Sequence, residues 1–123
     1  MKKILVVDDD FSIRSLFKEF LEPEGYSVLQ AADGRQALEI LDAQAPDLLI
    51  VDRAMPGMGG IELLKALQDR HSAVPVIMIS AFGEESLWGQ AIGLGAQDYL
   101  LKPFTRGDVL KLVKKFTDGE KKR

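Results

Sequence analysis

Leu48-Leu49-Ile50-Val51-Asp52 is an unbroken run of large aliphatic residues that ends in a carboxylate. A strand covered on both faces by helices reads this way, as continuous Val, Ile and Leu rather than as alternation. The pattern recurs in Ile4-Leu5-Val6-Val7, followed by Asp8, Asp9 and Asp10, and in Val76-Ile77-Met78-Ile79, followed by Ser80. A shorter version, Tyr99-Leu100-Leu101, runs into Lys102-Pro103. Buried strands thus deliver acids, a hydroxyl and an ammonium to one edge of a sheet.

Between these runs the apolar spacing changes from continuous to helical, the alternation expected of βα units around a parallel sheet. Five units are present. Strands are expected near Lys3–Asp8, Tyr26–Gln30, Asp47–Asp52, Val76–Ser80 and Asp98–Leu101. Ile13, Leu16, Phe17, Phe20 and Leu21 form one stripe on a first helix that stops near Glu22-Pro23-Glu24-Gly25. Ala37, Leu38 and Leu41 mark a second helix, ending before Pro46, and Ile61, Leu64 and Leu67 a third. Val109, Leu112, Val113 and Phe116 mark the last, with Thr105-Arg106-Gly107-Asp108 as its capping box. The fourth, near Glu84–Leu94, should be the loosest, because Gly83, Gly89 and Gly93 each weaken a helix by about 1 kcal/mol relative to alanine. The fold class expected is α/β: a flavodoxin-like doubly wound (βα)5 with a parallel five-stranded sheet, order 2-1-3-4-5.

Composition narrows the function classes. At 123 residues the chain suits one domain with one core. Apolar residues at 46% and charged residues at 28% are ordinary for a globular protein and exclude an acidic disordered chain. No apolar run approaches the ~20 residues of a membrane span, and Met1-Lys2-Lys3 leads straight into a strand, so a cytoplasmic location and no membrane partner are expected. The absence of cysteine excludes disulfides, thiolate metal sites and cysteine nucleophiles. A net charge of −3 argues against direct DNA binding. Lys121-Lys122-Arg123 reads as a solvated tail, giving a division into a domain over 1–118 and a charged tail over 119–123.

The site chemistry follows from the strand ends. Ligands of open α/β sheets lie beyond the carboxyl ends of the strands, where the strand order reverses. In the order 2-1-3-4-5 that point lies between the strands ending in Asp8-Asp9 and in Asp52. Carboxylates a few ångströms apart cannot all stay ionised unless a cation sits among them or some take up protons. Oxygen donors, two or three of them from protein, favour Mg²⁺ completed by water and phosphate oxygens. These residues read as a phosphoryl-handling site.

At this point the sequence resembles the receiver domain of two-component response regulators over essentially its whole length. Asp8 and Asp9 match that family's acidic pair, Asp52 its phosphoacceptor, Ser80 its hydroxyl residue, Lys102, followed by an expected cis Pro103, its lysine, and Tyr99 its aromatic switch position. Met55-Pro56-Gly57-Met58-Gly59-Gly60 is similar to the loop after the acceptor, with Gly59 where an aspartate is frequent. The resemblance implies a stand-alone receiver that takes a phosphoryl group from a phosphohistidine of a sensor histidine kinase. It implies Mg²⁺ held by Asp9, Asp52 and the Arg53 backbone carbonyl, with Asp8 acting mostly through water. Lys102 and Ser80 would bind phosphoryl oxygens, and Ser80 with Tyr99 would switch the surface of helix four, strand five and helix five. Further partners would be a histidine phosphotransferase or an effector protein, including a motility target. No catalysis on a separate substrate is implied; the protein would assist its own phosphotransfer and dephosphorylation.

Other residues carry weaker readings. Asp10 is expected to cap the first helix, with Ser12 as the competing candidate. Ala54, two residues after Asp52, cannot orient a hydrolytic water, and Phe82, two after Ser80, would cover the phosphoryl group; together they suggest a slowly hydrolysed aspartyl phosphate. Trp88 is either core packing or an exposed anchor for a partner. His71 reads as a loop residue. A dehalogenase-type phosphatase would need an acid where Ala54 stands, and a flavin carrier a Ser/Thr/Gly phosphate loop where Asp8-Asp9-Asp10 stands. A receiver-shaped scaffold that is never phosphorylated shares all these features.

Overall fold

The computed structural model describes residues 2–55, 57–81 and 88–117. Five strands, β1 (Lys3–Val7), β2 (Ser27–Ala31), β3 (Leu48–Asp52), β4 (Val76–Ala81) and β5 (Asp98–Lys102), alternate with helices α1 (Phe11–Leu21), α2 (Gly34–Gln44), α3 (Gly60–Asp69), α4 (Trp88–Gly93) and α5 (Arg106–Thr117). A 3₁₀ turn, Glu22–Glu24, follows α1 where proline interrupts the helical pattern. All four pairings are parallel, and the order is β2-β1-β3-β4-β5, as the sequence predicts. The second strand begins and ends one residue later than expected, at Ser27 and Ala31.

Register divides the side chains between two faces, because successive residues of a strand point to opposite sides. Leu5, Val7, Leu49, Val51 and Met78 pack with Ala37 of α2, with Leu63, Leu64 and Leu67 of α3, and with Ala91 of α4. Ile4, Val6, Leu48, Ile50, Ile77, Ile79 and Leu100 pack with Phe17 and Leu21 of α1 and with Val109 and Val113 of α5. The continuous apolar runs are thus explained: every residue of β3 is buried, whichever way it points.

Local chemistry starts the helices where the sequence suggests. Asp10 accepts from the Ser12 N–H at 2.8 Å and caps α1, so Asp10 rather than Ser12 takes that role. Asp33 caps α2 through the Gln36 N–H at 2.8 Å. Thr105 and Asp108 form the expected reciprocal box, at 3.1 and 3.0 Å. The expected fourth helix is only partly in view: its N-terminal half and Phe82 lie outside the described residues, and the remainder is the six-residue α4. His71 is exposed with φ 54° in the turn after α3. Among the described residues no helix is long and apolar enough to cross a membrane.

A candidate phosphoryl and metal site at the carboxyl edge

The parity that sorts the core also sorts the site. Val7 pairs with Val51, so Asp8 follows alongside Asp52, and both continue the α1/α5 face; Lys102, two residues beyond Leu100, continues the same face. Ser80, two beyond Met78, continues the opposite face.

Asp8 and Asp52 are almost fully buried, at 1% and 7% exposure, whereas Asp9 is exposed. One carboxylate oxygen from each of the three lies within 4.8 Å of the others. Asp8 Oδ1 accepts from the Asp10 N–H at 2.9 Å, and Oδ2 is buried without a partner. Burial pushes the Asp8 carboxyl up from 3.8 to about 6, opposed by the Asp10 N–H and Lys102 and reinforced by Asp52 and Asp9. Asp52 is likewise raised, chiefly by burial, against the pull of Lys102 and of the Ala54 N–H, which lies 3.4 Å from Oδ1. Lys102 Nζ stands 3.9 Å from Asp52 Oδ1, its side chain 37% exposed. Lys102 acts on both Asp8 and Asp52, and Arg53 adds a weaker pull on Asp52. An orphaned buried oxygen, a short O···O separation and an all-oxygen donor set fit a hard cation such as Mg²⁺.

Neighbouring backbone holds these groups in place. A Cβ on Gly60 would lie 2.7 Å from the Asp52 carbonyl oxygen and 2.8 Å from Arg53 Cα, so only glycine lets α3 begin this close to the end of β3. The Arg53 carbonyl accepts from the Gly60 N–H at 3.1 Å. Arg14 donates to the Asp8 carbonyl at 2.6 Å and to Gln30 Oε1 at 3.0 Å, fastening the end of β1 to α1 and β2. The Lys102-Pro103 peptide is cis, as expected.

On the other face, Ser80 is 2% exposed, and its Oγ accepts from Trp88 Nε1 at 3.1 Å. The Trp88 and Tyr99 rings stack with centroids 4.3 Å apart, and the Tyr99 hydroxyl donates to the Trp88 carbonyl. Burial, with the charge of Asp98 added, raises the Tyr99 phenol and keeps that hydroxyl protonated. Trp88 is therefore neither simple core nor a free anchor but half-buried and bonded to both Ser80 and Tyr99. Sequence reasoning missed this role and that of Arg14; the only signal for Arg14 was a cation one turn into the helix after the acidic strand end.

The response regulator receiver domain model matches residues 4–114. This chain belongs to that family. It is 41% identical over 115 residues to Sporulation initiation phosphotransferase F of Bacillus subtilis, covering 94% of this chain and 93% of that protein. It is 47% identical over 114 residues to the transcriptional regulatory protein CpxR of Escherichia coli, covering 93% of this chain but 48% of that protein. Against several such regulators the chain spans about half their length. Among solved structures, Vibrio cholerae chemotaxis protein CheY4 superimposes with TM-score 0.87 at 35% identity, over 94% of this chain and 98% of that one. The receiver domain of NtrX from Brucella abortus does so with TM-score 0.88 at 33% identity, over 94% and 98%. Receiver domains are signalling modules of two-component systems, partnered by histidine kinases and phosphotransfer proteins, and generally bind Mg²⁺ in an acidic pocket.

Proposed function

We propose that this receiver accepts a phosphoryl group from a phosphohistidine onto Asp52 and then passes it onward or uses it to switch its α4-β5-α5 surface. The observation that carries this reading is the buried Asp52 carboxylate, flanked by Asp8 and Asp9 on one side and reached by Lys102 from the other. Asp8, Asp9, Asp52 and the Arg53 carbonyl would hold Mg²⁺, which when bound neutralises charge on the transferring group.

An Asp52 carboxylate oxygen attacks phosphorus, the N–P bond to the donor histidine breaks, and imidazole leaves with that electron pair. Catalysis in such a transfer is mainly positioning and electrostatics. Lys102, a single ammonium on a flexible stem, exchanges its Asp52 partner for a phosphoryl oxygen. The product carries about one more negative charge and new acceptor oxygens, one of which Ser80 binds through its hydroxyl proton. The donor is a sensor histidine kinase or a histidine phosphotransferase.

Ala54 is exposed and offers only a methyl group beside the acceptor, which favours slow hydrolysis of the aspartyl phosphate and hence a role in handing the group on. A second use, binding of an effector, is favoured by the open cleft at the switch surface, lined by Trp88, Asp98, Tyr99, Pro103, Lys111 and Lys115.

The test is intact mass after incubation with Mg²⁺ and acetyl phosphate. Wild type should gain one phosphoryl group, roughly 80 Da, and Asp52→Asn none; equal gain in both would move the acceptor elsewhere. No gain in either would favour an unphosphorylated scaffold. An aspartyl-phosphate half-life of seconds would refute slow hydrolysis.

A further inference from the structure

Ser80 belongs to the wrong face for the role proposed above. Parity sends Asp8, Asp52 and Lys102 toward α1 and α5, and Ser80 toward α4. On that side its oxygen is engaged by an indole N–H, a group that can only donate. The same indole is stacked on Tyr99, and the same residue's carbonyl takes the Tyr99 hydroxyl. Residues from β4, α4 and β5 are therefore joined through Trp88, and the indole cannot turn away without leaving the buried Ser80 oxygen without its donor.

We propose that Trp88 is a positioning residue for Ser80: its indole N–H holds the hydroxyl on the α4 face in the unphosphorylated protein, and Ser80 reaches a phosphoryl group on Asp52 only as Trp88 lets go. The inference rests on the reading of Asp52 as phosphoacceptor. Trp88 is half-buried, so its N–H finds water once released, whereas the buried Ser80 hydroxyl, carried toward Asp52, donates its proton to a charged phosphoryl oxygen. Release unstacks or slides the indole on Tyr99, so the event at Asp52 appears at the surface of α4 and β5 through Trp88 itself.

The chain has one tryptophan, so its fluorescence reports this residue alone. Emission and intact mass are followed together during phosphorylation by acetyl phosphate and Mg²⁺. In wild type the emission maximum should shift in step with the mass gain. Ser80→Ala should start with emission already displaced and lose most of the further shift per phosphoryl group gained. Trp88→Phe keeps an aromatic ring against Tyr99 but has no N–H to donate. By calorimetry it should bind beryllofluoride, a phosphoryl mimic, about three- to tenfold more tightly than wild type, the span one hydrogen bond supplies. A mass gain with unmoved emission, a full shift in Ser80→Ala, or equal or weaker beryllofluoride binding by Trp88→Phe would each overturn the role of Trp88 and leave Asp52 as acceptor. A wild type that gains no mass and binds no beryllofluoride would overturn the acceptor reading, and this inference with it.

Discussion

The two faces of the sheet share the same buried strands yet end differently at the carboxyl edge. On the α1/α5 face the strands end in charge, Asp8, Asp52 and Lys102, backed by helices of 11 and 12 residues. Those helices are tied further by Arg106 to Glu24 at 2.7 Å and by the buried Tyr26–Thr117 bond at 3.1 Å. On the other face the edge ends in Ser80, bonded to a tryptophan on the six-residue α4, which carries two glycines. Asp8, Asp52 and Lys102 stand at strand ends backed by the capped helices α1 and α5, whereas Ser80 stands against the described, glycine-bearing part of α4. Clustered charge and lone hydroxyl are separated by nothing more than the parity of residues along a strand.

Core truncation should break this comparison hardest. Phe17 is fully buried between α1 and the sheet, so Phe17→Ala should lose about 3–5 kcal/mol in urea unfolding. Ala91→Gly on α4 should lose about 1 kcal/mol. A larger loss at Ala91 than at Phe17 would place the tighter packing on the α4 face.

The next effect is one of pH. The folded Asp8 carboxyl, at about 6, lies above its usual 3.8, so the native state holds the proton more tightly than the unfolded chain. Its contribution is fully present below about pH 4 and is lost as pH rises through 6, on the order of 3 kcal/mol in all. The raised Asp52 acts in the same direction. Unfolding in chelator from pH 4 to pH 7.5 should show this decline, and Asp8→Asn should flatten it while weakening Mg²⁺ binding. An unaltered slope in Asp8→Asn would remove desolvated Asp8 as its source.

Gly60→Ala presses a methyl group against the Asp52 and Arg53 backbone, which cannot yield as a side-chain tip would. A loss of about 1–3 kcal/mol is expected, with slower phosphorylation by acetyl phosphate. Retained rate and stability would show that α3 can retreat without disturbing Asp52. Smallest is the cap: Asp10→Ala should cost about 1 kcal/mol with Mg²⁺ binding unchanged, and a marked fall in Mg²⁺ affinity would give Asp10 a share in the metal site.

Strand and helix positions, the strand order and the residues at the strand ends were legible in the chain itself, because each rests on local pattern. A run such as Leu48–Val51 has to be buried on both sides, and Asp10, Asp33 and Thr105 bond backbone only two or three residues away. The sequence by itself therefore determined a parallel α/β sheet with Asp8, Asp52, Ser80 and Lys102 gathered at one edge. Tertiary structure alone decided which face each of these would join and how far each is desolvated, and so that burial raises the Asp8 and Asp52 carboxyls. It also decided that Trp88, eight residues from Ser80 and eleven from Tyr99, bonds to both. Those outcomes depend on register and helix placement summed over the whole domain, and no short-range preference of any residue encodes them.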